Sequence, residues 1–332
     1  MVSVIIVNFN GEFMILDCMN ALRKQTYNNF EIVIVDNASS DNSLKAIRQC
    51  LYRTPIGVPV KIIPLVTNSG FTGGNTEGLR YAEGDYIALL NNDTEPDESW
   101  LEELVTSLMG DPRVGICASK LICHNSNTVD SAGDGFSTML KGFKIGEGKS
   151  SENFDHKKTV FGACAGAALY RRKMLEQIGF FDNDFFLIHE DTDLNFRAQL
   201  SGWKVLYIPT ARVYHKVRSS IGSMSDLAVY YSLRNSELVR LKNVPFAIFI
   251  KCLPEVLLGL ISEFIYFVLR HRRLKLFVKA KKDVIKMLPT ILQKRRDIMK
   301  ARKTNNDYLL SIMTPIFTVD FFKSKLNKLL YG

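Results

Sequence analysis

Apolar residues along the first 110 positions fall into short β-prone runs separated by stretches of helical periodicity. VSVIIVNFN, FEIVIVDNAS, VKIIPLVTN and YIALL (Tyr86–Leu90) are the runs. Nearly continuous apolar character over so few residues is what strands buried on both faces require. Between them, Phe13–Gln25, Asp41–Leu51 and Asn75–Glu83 carry amphipathic helical spacing, and SWLEELVTSL begins another helix after Pro96-Asp97. Strand and helix in alternation predict a parallel sheet covered by helices, an α/β fold of the doubly wound kind. Pro64 places the third strand near an edge or a bulge.

Residues 111–160 are less regular. VGICASKLI reads as a strand, followed by a Gly-, Ser- and Asn-rich loop over the ligand face. A small-residue strand (Val160–Tyr170), a short helix (Arg172–Ile178) and a strand KVLYIP follow. Between the last two, Leu194, Arg197, Ala198 and Leu200 predict a helix that starts after the acidic cluster Glu190-Asp191-Thr192-Asp193 and stops at Gly202.

From about residue 241 the pattern changes. PFAIFIKCLPEVLLGLISEFIYFVLR is apolar for longer than a surface helix needs. Lys251, Glu255, Gly259, Ser262, Glu263, Tyr266 and Arg270 fall within roughly a 120° arc at 100° per residue, leaving a narrow polar stripe on an apolar helix. This predicts a helix lying in a membrane interface rather than crossing it. The cations of HRRLKLFVKAKKDVIK and QKRRDIMKARK suit anionic headgroups. A helical layer packing on the first domain, or pairing two copies, is the competing explanation.

Charge sharpens this division. Residues 1–220 hold 22 Lys+Arg against 26 Asp+Glu, whereas residues 221–332 hold 21 against 8, a surplus of 13 cations. The expected organisation is therefore a catalytic domain over 1–240 and a basic amphipathic helical region over 241–332. No groove-reading motif accompanies the charge, so nucleic acid is not the expected partner. Six cysteines without C-x-x-C or zinc-like spacing point to a reduced, cytoplasmic setting. A chain that opens directly on a strand gives no sign of a signal peptide.

The chemistry is expected at the carboxyl ends of the strands, where open α/β sheets bind ligands. Asp36 ends FEIVIVD and can accept hydrogen bonds from a base or from ribose hydroxyls; it also reads as an Asx turn. Asn91-Asn92-Asp93 terminates YIALL and is itself stopped by Pro96. Asn68, Gly70, Gly73, Gly74 and Asn75 form a glycine-rich loop before a helix, which lets backbone N–H groups approach a phosphate. Its spacing matches neither the dinucleotide fingerprint nor the P-loop. Glu190, Asp191 and Asp193 sit where a helix dipole stabilises acids, so simple capping is one explanation for them.

VSVIIVNFNG, VDNASSDNS, NSGFTGGNTEGL, LLNNDTEP, AGAALYRR and FFLIHEDTDLNFR occur in an order that resembles glycosyltransferase family 2, and within it the rhamnosyltransferase-like branch. The resemblance spans about residues 1–240. It implies a GT-A fold, a nucleotide-diphospho-sugar donor (dTDP- or UDP-linked) and inversion at the anomeric carbon. Val7, Asn8, Phe9, Asp36, Asn68, Gly70, Gly74, Asn75, Asn91 and Asn92 match positions that surround the donor nucleotide. Asp93 matches the last acid of the family's D-x-D signature and would hold Mg²⁺ or Mn²⁺ on the diphosphate; Asn91 replaces the first acid. His215 corresponds to a second metal ligand in some members. Asp191 matches the general base. Glu190, and Arg234 in YYSLRNSELVR, are candidate acceptor-binding groups.

With the basic tail, the resemblance implies an enzyme attached to the cytoplasmic face of the membrane. Its acceptor would be a polyprenyl-diphosphate-linked glycan of the cell envelope. A sugar-phosphate nucleotidyltransferase would need a basic glycine-rich signature after the first strand, which VNFNGEF lacks. A non-catalytic membrane-tethered nucleotide-binding module is the rival from another class, favoured by the reduced acid triplet.

Overall fold

The computed structural model describes residues 1–216 and 224–316; residues 317–332 of the expected C-terminal region lie outside the described residues. The first half builds the expected alternation: β1 (Val2–Asn8), α1 (Glu12–Leu22), β2 (Phe30–Asp36), α2 (Ser43–Arg53), β3 (Val60–Pro64), α3 (Gly70–Tyr81), β4 (Tyr86–Leu90), β5 (Thr94–Pro96) and α4 (Trp100–Met109). Then come β6 (Val114–Cys123), β7 (Val129–Ser131), β8 (Asp134–Phe136), β9 (Gly142–Lys144), β10 (Lys158–Thr159), β11 (Ala167–Arg171), α5 (Arg172–Ile178), α6 (Glu190–Leu200) and β12 (Lys204–His215). The helical layer is α7 (Asp226–Asn243), α8 (Phe246–Lys251), α9 (Leu253–Phe264), α10 (Leu274–Ala301) and α11 (Asn306–Ile312). A π-helical stretch, Ile265–Arg270, prolongs α9.

One mixed sheet runs β10-β12-β6-β11-β4-β1-β2-β3, with β5 added on β12 and β7 on β6. β4, β1, β2 and β3 are parallel, so Asn8, Asp36 and the residues after Leu90 emerge at one edge. β11 inserts antiparallel between β4 and β6, which makes the sheet mixed rather than purely parallel. Ile5, Val33, Val35 and Leu89 are buried under one face, while Ile6, Ile32, Ile34 and Leu90 lie in the cluster under the other. This two-sided burial accounts for the unbroken apolar runs.

Several boundaries differ from the sequence expectation. The glycine-rich segment is helix, not loop: α3 starts at Gly70 instead of Asn75. A Cβ on Gly74 would stand 2.7 Å from Val7 Cγ1, and one on Gly78 2.5 Å from Ile5 Cγ2, so these glycines let α3 lie close on β1. The strand expected over Val160–Tyr170 begins only at Ala167; before it Gly162 exchanges backbone hydrogen bonds with Asp134, and Ala165-Gly166 form a turn. KVLYIP continues as strand through His215, because β6 on one side and β5 on the other pair with its far half. The Gly/Ser/Asn-rich stretch contains β7 and the β8–β9 hairpin.

The long apolar C-terminal segment is broken at Cys252 into α8 and α9, with Pro254 in the first turn of α9, where a missing N–H costs nothing. Phe136, Phe161 and Phe196 from the catalytic half share a core with Val244, Ile248, Val256, Ile291 and Leu309 from the helical layer.

Candidate active site

Three strand ends converge at the donor side. Asn8 Nδ2 donates to Asp36 Oδ1 (3.3 Å), and Asn92 Nδ2 donates to Asn8 Oδ1 (2.8 Å), tying the ends of β1, β2 and β4 together. Gly11 must lack a side chain here, since a Cβ would stand 2.3 Å from Asn92 Nδ2. Asn37 donates to Asn68 Oδ1 and to the Gly70 carbonyl, both at 3.0 Å, and so anchors the start of α3 beside Asp36. Phe9 projects outward, 42% exposed, whereas the Val7 side chain is turned onto Gly74. Asn75 donates to the Phe71 carbonyl one turn back and is buried within α3.

Asp93 follows directly and is buried. Its Oδ1 lies 3.3 Å from His215 Nε2, because β12 carries His215 to a register position opposite Thr94. The other imidazole nitrogen, Nδ1, lies 2.9 Å from Asp130 Oδ2 on β7, and Asp130 in turn is gripped by Lys144 Nζ at 2.8 and 2.9 Å. Burial by itself would push the His215 pKa down, but Asp130 and Asp93 outweigh it and raise it to about 9. Burial likewise opposes ionisation of Asp130, yet His215 and Lys144 hold its carboxyl down at about 2.

Among the described residues no three His, Cys, Asp or Glu side chains gather as a metal site. The pair Asp93–His215 fits a divalent cation that takes its remaining ligands from diphosphate and water, the usual arrangement where a metal bridges to a phosphate substrate. An imidazole in the set suits Mn²⁺ better than Mg²⁺.

The segment leading into α6 is built on backbone strain. Phe186, Ile188 and His189 adopt left-handed φ values of 62°, 66° and 71°, unusual for side chains of this size. Such strain persists only where the surroundings enforce it. Asn235 does so: its Nδ2 donates to the carbonyls of Phe185 (2.9 Å), Leu187 (2.8 Å) and Ile188 (2.7 Å). The turn delivers Glu190 and Asp191 to the first turn of α6. Asp191 Oδ1 accepts from Thr192 N at 2.7 Å, and Oδ2 accepts from Ala165 N at 3.4 Å.

Glu190 is buried with Oε2 lacking a hydrogen-bond partner; burial and the neighbouring Asp191 push its pKa well above the ordinary carboxylate range. Asp134, on β8, is pushed up to about 8 by burial and then by Asp191. Asp193 is not part of this group. It points into the core, where Lys242, Arg197 and Asn243 bind it at 2.9, 2.9 and 2.8 Å.

Arg234 does not face an open acceptor space, contrary to expectation. It is buried, its guanidinium donates to the carbonyls of Asp184 and Phe185 and to Asn235 Oδ1, and it stacks 4.7 Å from the Tyr231 ring centre. Its Nη2 serves the turn that carries Asp191, and its Nε holds the Asn235 side chain that does the same. Sequence reasoning missed Asp130, Asp134 and Lys144, all in the stretch read as a loop. The acids of VDSAGD were the available signal, set among residues too small to hide them.

The two sides meet where Thr72 N donates to the Phe186 carbonyl at 3.0 Å, and again at the bridge Ala165-Gly166. Ala165 N contacts Asp191, while the adjoining Gly166 carbonyl accepts from Asn91 N at 2.8 Å. A Cβ on Gly166 would stand 3.2 Å from Asn91 Nδ2, so the small residues of this bridge keep both sides close.

The fold and motifs have counterparts of known kind. The model of "Glycosyl transferase family 2" matches residues 3–179. The chain is 22% identical over 224 residues to poly-beta-1,6-N-acetyl-D-glucosamine synthase of Staphylococcus epidermidis, covering 67% of this chain and 52% of that protein. It is 28% identical over 235 residues to O-antigen biosynthesis protein RfbC of Myxococcus xanthus, covering 66% and 17%. The chain thus spans about half or less of the length of these curated relatives.

Among solved structures, S. aureus TarS 1-349 in complex with UDP superposes with a TM-score of 0.56 at 20% identity, over 90% of this chain and 88% of that one. GalNAc-T7 with UDP, GalNAc and Mn2+ gives 0.59 at 18%, over 72% and 48%. The mannosyltransferase PcManGT of Pyrobaculum calidifontis, with GDP-Man and Mn2+, gives 0.53 at 15%, over 99% and 87%. These likenesses establish a GT-A architecture. With more than half of its length matched by the family model and the ordered motifs assembled at one sheet edge, the chain belongs to glycosyl transferase family 2.

Proposed function

We propose that this protein is an inverting glycosyltransferase of cell-surface polysaccharide synthesis. It moves a hexosyl or deoxyhexosyl group from a UDP- or dTDP-sugar to a hydroxyl of a lipid-linked glycan, such as one on polyprenyl diphosphate, at the cytoplasmic face of the membrane. The observation that carries the reading is the bridge Ala165-Gly166, which touches Asp191 on one side and Asn91 of the Asn91-Asn92-Asp93 turn on the other. A base and a diphosphate-binding group on opposite sides of one short segment is the arrangement that in-line displacement needs. The UDP bound by TarS and GalNAc-T7, and the Mn2+ of GalNAc-T7, support the same donor chemistry here.

In this reading the nucleoside rests on Asp36 and the backbone of Val7-Asn8-Phe9, with Asn68, Gly70, Gly74 and Asn75 shaping the wall at the start of α3. Asn91 and Asn92 orient the ribose and diphosphate. Asp93 and His215 would be the residues to hold a divalent cation, which would supply positive charge against the departing diphosphate. Asp191 takes the proton of the acceptor hydroxyl as that oxygen bonds to the anomeric carbon. The bond to the diphosphate breaks with its electron pair, and attack from the opposite face inverts the configuration. Glu190, buried with Oε2 unpartnered, hydrogen-bonds the acceptor in this reading. Residues 1–240 carry this chemistry, and 241–332 hold the enzyme at the membrane.

The test is release of nucleoside diphosphate from a panel of UDP- and dTDP-sugars with Mg²⁺ or Mn²⁺, compared between the native chain and Asp191→Asn. Donor-dependent turnover that the substitution leaves intact would remove Asp191 from the role of base. No turnover with any donor, although the donors bind, would favour a non-catalytic nucleotide-binding module.

A further inference from the structure

The helical layer buries Ile248, Val256, Val284 and Ile291 in the core, yet leaves a second apolar face outward. Along α9 and its π-helical continuation, Leu257 (51% exposed), Ile261 (57%), Phe264, Ile265 and Leu269 (63%) recur at spacings of three and four on the open face. Two members of the polar stripe, Gly259 and Glu263, face the protein, while Lys251, Ser262, Tyr266 and Arg270 stay exposed beside the crest. Glu263 is buried and bound by Lys141 and, at 3.0 Å, by Lys281, while Gly259 packs against Met139. A helix at an aqueous surface normally shows the reverse arrangement. Among the described residues no helix is long and apolar enough to cross a membrane.

Beside this crest lies a dense set of cations. Arg270, Arg272, Lys275, Lys279, Lys282 and Lys286 are exposed, interleaved on α10 with exposed Leu274 and Val278. Asp283 is engaged by Tyr230 and Lys286 and offsets little of this charge.

We infer that the crest of α9 and the basic face of α10 together form a docking surface for an anionic lipid bilayer, with the helices lying in the interface plane. Exposed apolar side chains enter the acyl boundary while the flanking cations meet the headgroups. A second copy of the chain is a poorer occupant, because a symmetric contact would set one cationic face against another. A polyanion without an apolar phase would leave the crest uncovered.

The surface also has a fixed relation to the chemistry. Lys141, which binds Glu263 beneath the crest, is followed by Gly142, whose Cβ position lies 2.9 Å from Thr192 Cγ2. Thr192 adjoins Asp191, so the bilayer-facing helix is tied through one hairpin to the acceptor side of the site. This last point rests on the glycosyl-transfer reading; the bilayer surface itself does not.

The test is co-sedimentation of the full chain with vesicles of phosphatidylcholine alone or mixed with phosphatidylglycerol. Binding is expected to the mixed vesicles and to fall with added salt. The triple variant Arg270→Ser, Lys275→Ser, Lys282→Ser should bind them on the order of 100-fold more weakly. Ile261→Asp with Leu269→Asp should abolish binding at any salt. Both variants should keep native circular dichroism and native release of nucleoside diphosphate from donor. Equal affinity for neutral and anionic vesicles, no binding, or undiminished binding by both variants would overturn the inference. So would a native dimer in analytical ultracentrifugation that Ile261→Asp, Leu269→Asp converts to monomer. Asp191→Asn should still bind vesicles, so failure of the catalytic reading and failure of this one are separable.

Discussion

His215 Nδ1 lies 2.9 Å from Asp130 Oδ2, while Nε2 of the same ring faces Asp93 Oδ1 at 3.3 Å. A carboxylate on the far nitrogen fixes ring orientation and tautomer, and it increases the basicity of the nitrogen that meets a metal. Asp130→Asn is therefore expected to weaken Mn²⁺ binding by roughly 10- to 100-fold. Titration of the Mn²⁺ electron paramagnetic resonance signal in the presence of UDP checks this. Unchanged affinity would leave Asp130 as a structural partner of Lys144.

Asp191 accepts from Thr192 N through Oδ1 at 2.7 Å and from Ala165 N through Oδ2 at 3.4 Å, and an asparagine oxygen keeps the shorter of the two. Asp191→Asn should consequently lower kcat by about 10²- to 10⁴-fold, the usual range for a lost general base, and leave donor affinity unchanged. Turnover assays with calorimetric titration of donor separate the two effects.

Asn235 satisfies three carbonyls of the left-handed turn that precedes Glu190. Asn235→Ala removes the two N–H donors that these three carbonyls share, at about 1 kcal/mol per donor. The expected loss of stability is roughly 2 kcal/mol in urea denaturation. The relaxed turn should also lower kcat more than it raises the donor KM, since it carries Asp191 and not the nucleotide contacts.

The buried cluster around Asp193 gives stability a defined pH dependence. Burial opposes the charge on Asp193, but Lys242 and Arg197 outweigh it and hold the carboxyl below its usual range; Asp182, bound by Lys242 and Lys294, is held low in the same way. Carboxyls depressed in the folded state contribute fully above their unfolded pKa, near 4, and lose that contribution as pH falls through the folded values. Melting temperature should therefore be flat from neutral down to about pH 5 and drop below pH 4. In Lys242→Met, Asp193 keeps Arg197 and Asn243 and Asp182 keeps Lys294, so roughly 1.5–3 kcal/mol of stability should already be missing at pH 7.

How much of this was legible beforehand differs by feature. The parallel strands β1, β2 and β4 followed from apolar runs, because strands buried on both faces tolerate little else, and the acids at their ends stood out against those runs. The helix at Gly70 was not legible, since glycines read locally as turn. Only the closeness of Val7 and Ile5 beneath α3 explains them. Arg234 read as a ligand-binding cation because its donors have no visible partners in a linear chain; the fold spends them on the carbonyls of a turn 50 residues away.

Local chemistry alone therefore determined the sheet, the strand-end carboxylates, the acid-headed helix α6 and the basic, apolar character of the last third. Tertiary structure decided which groups meet. It joined His215 to Asp130 across 85 residues, set Asp191 and Asn91 on either side of one bridge, and turned Glu263 of α9 inward against Lys141 and Lys281. Periodicity shows that a helix has two faces. Which face is covered depends on where buried charges find their partners, and that is a property of the packed chain.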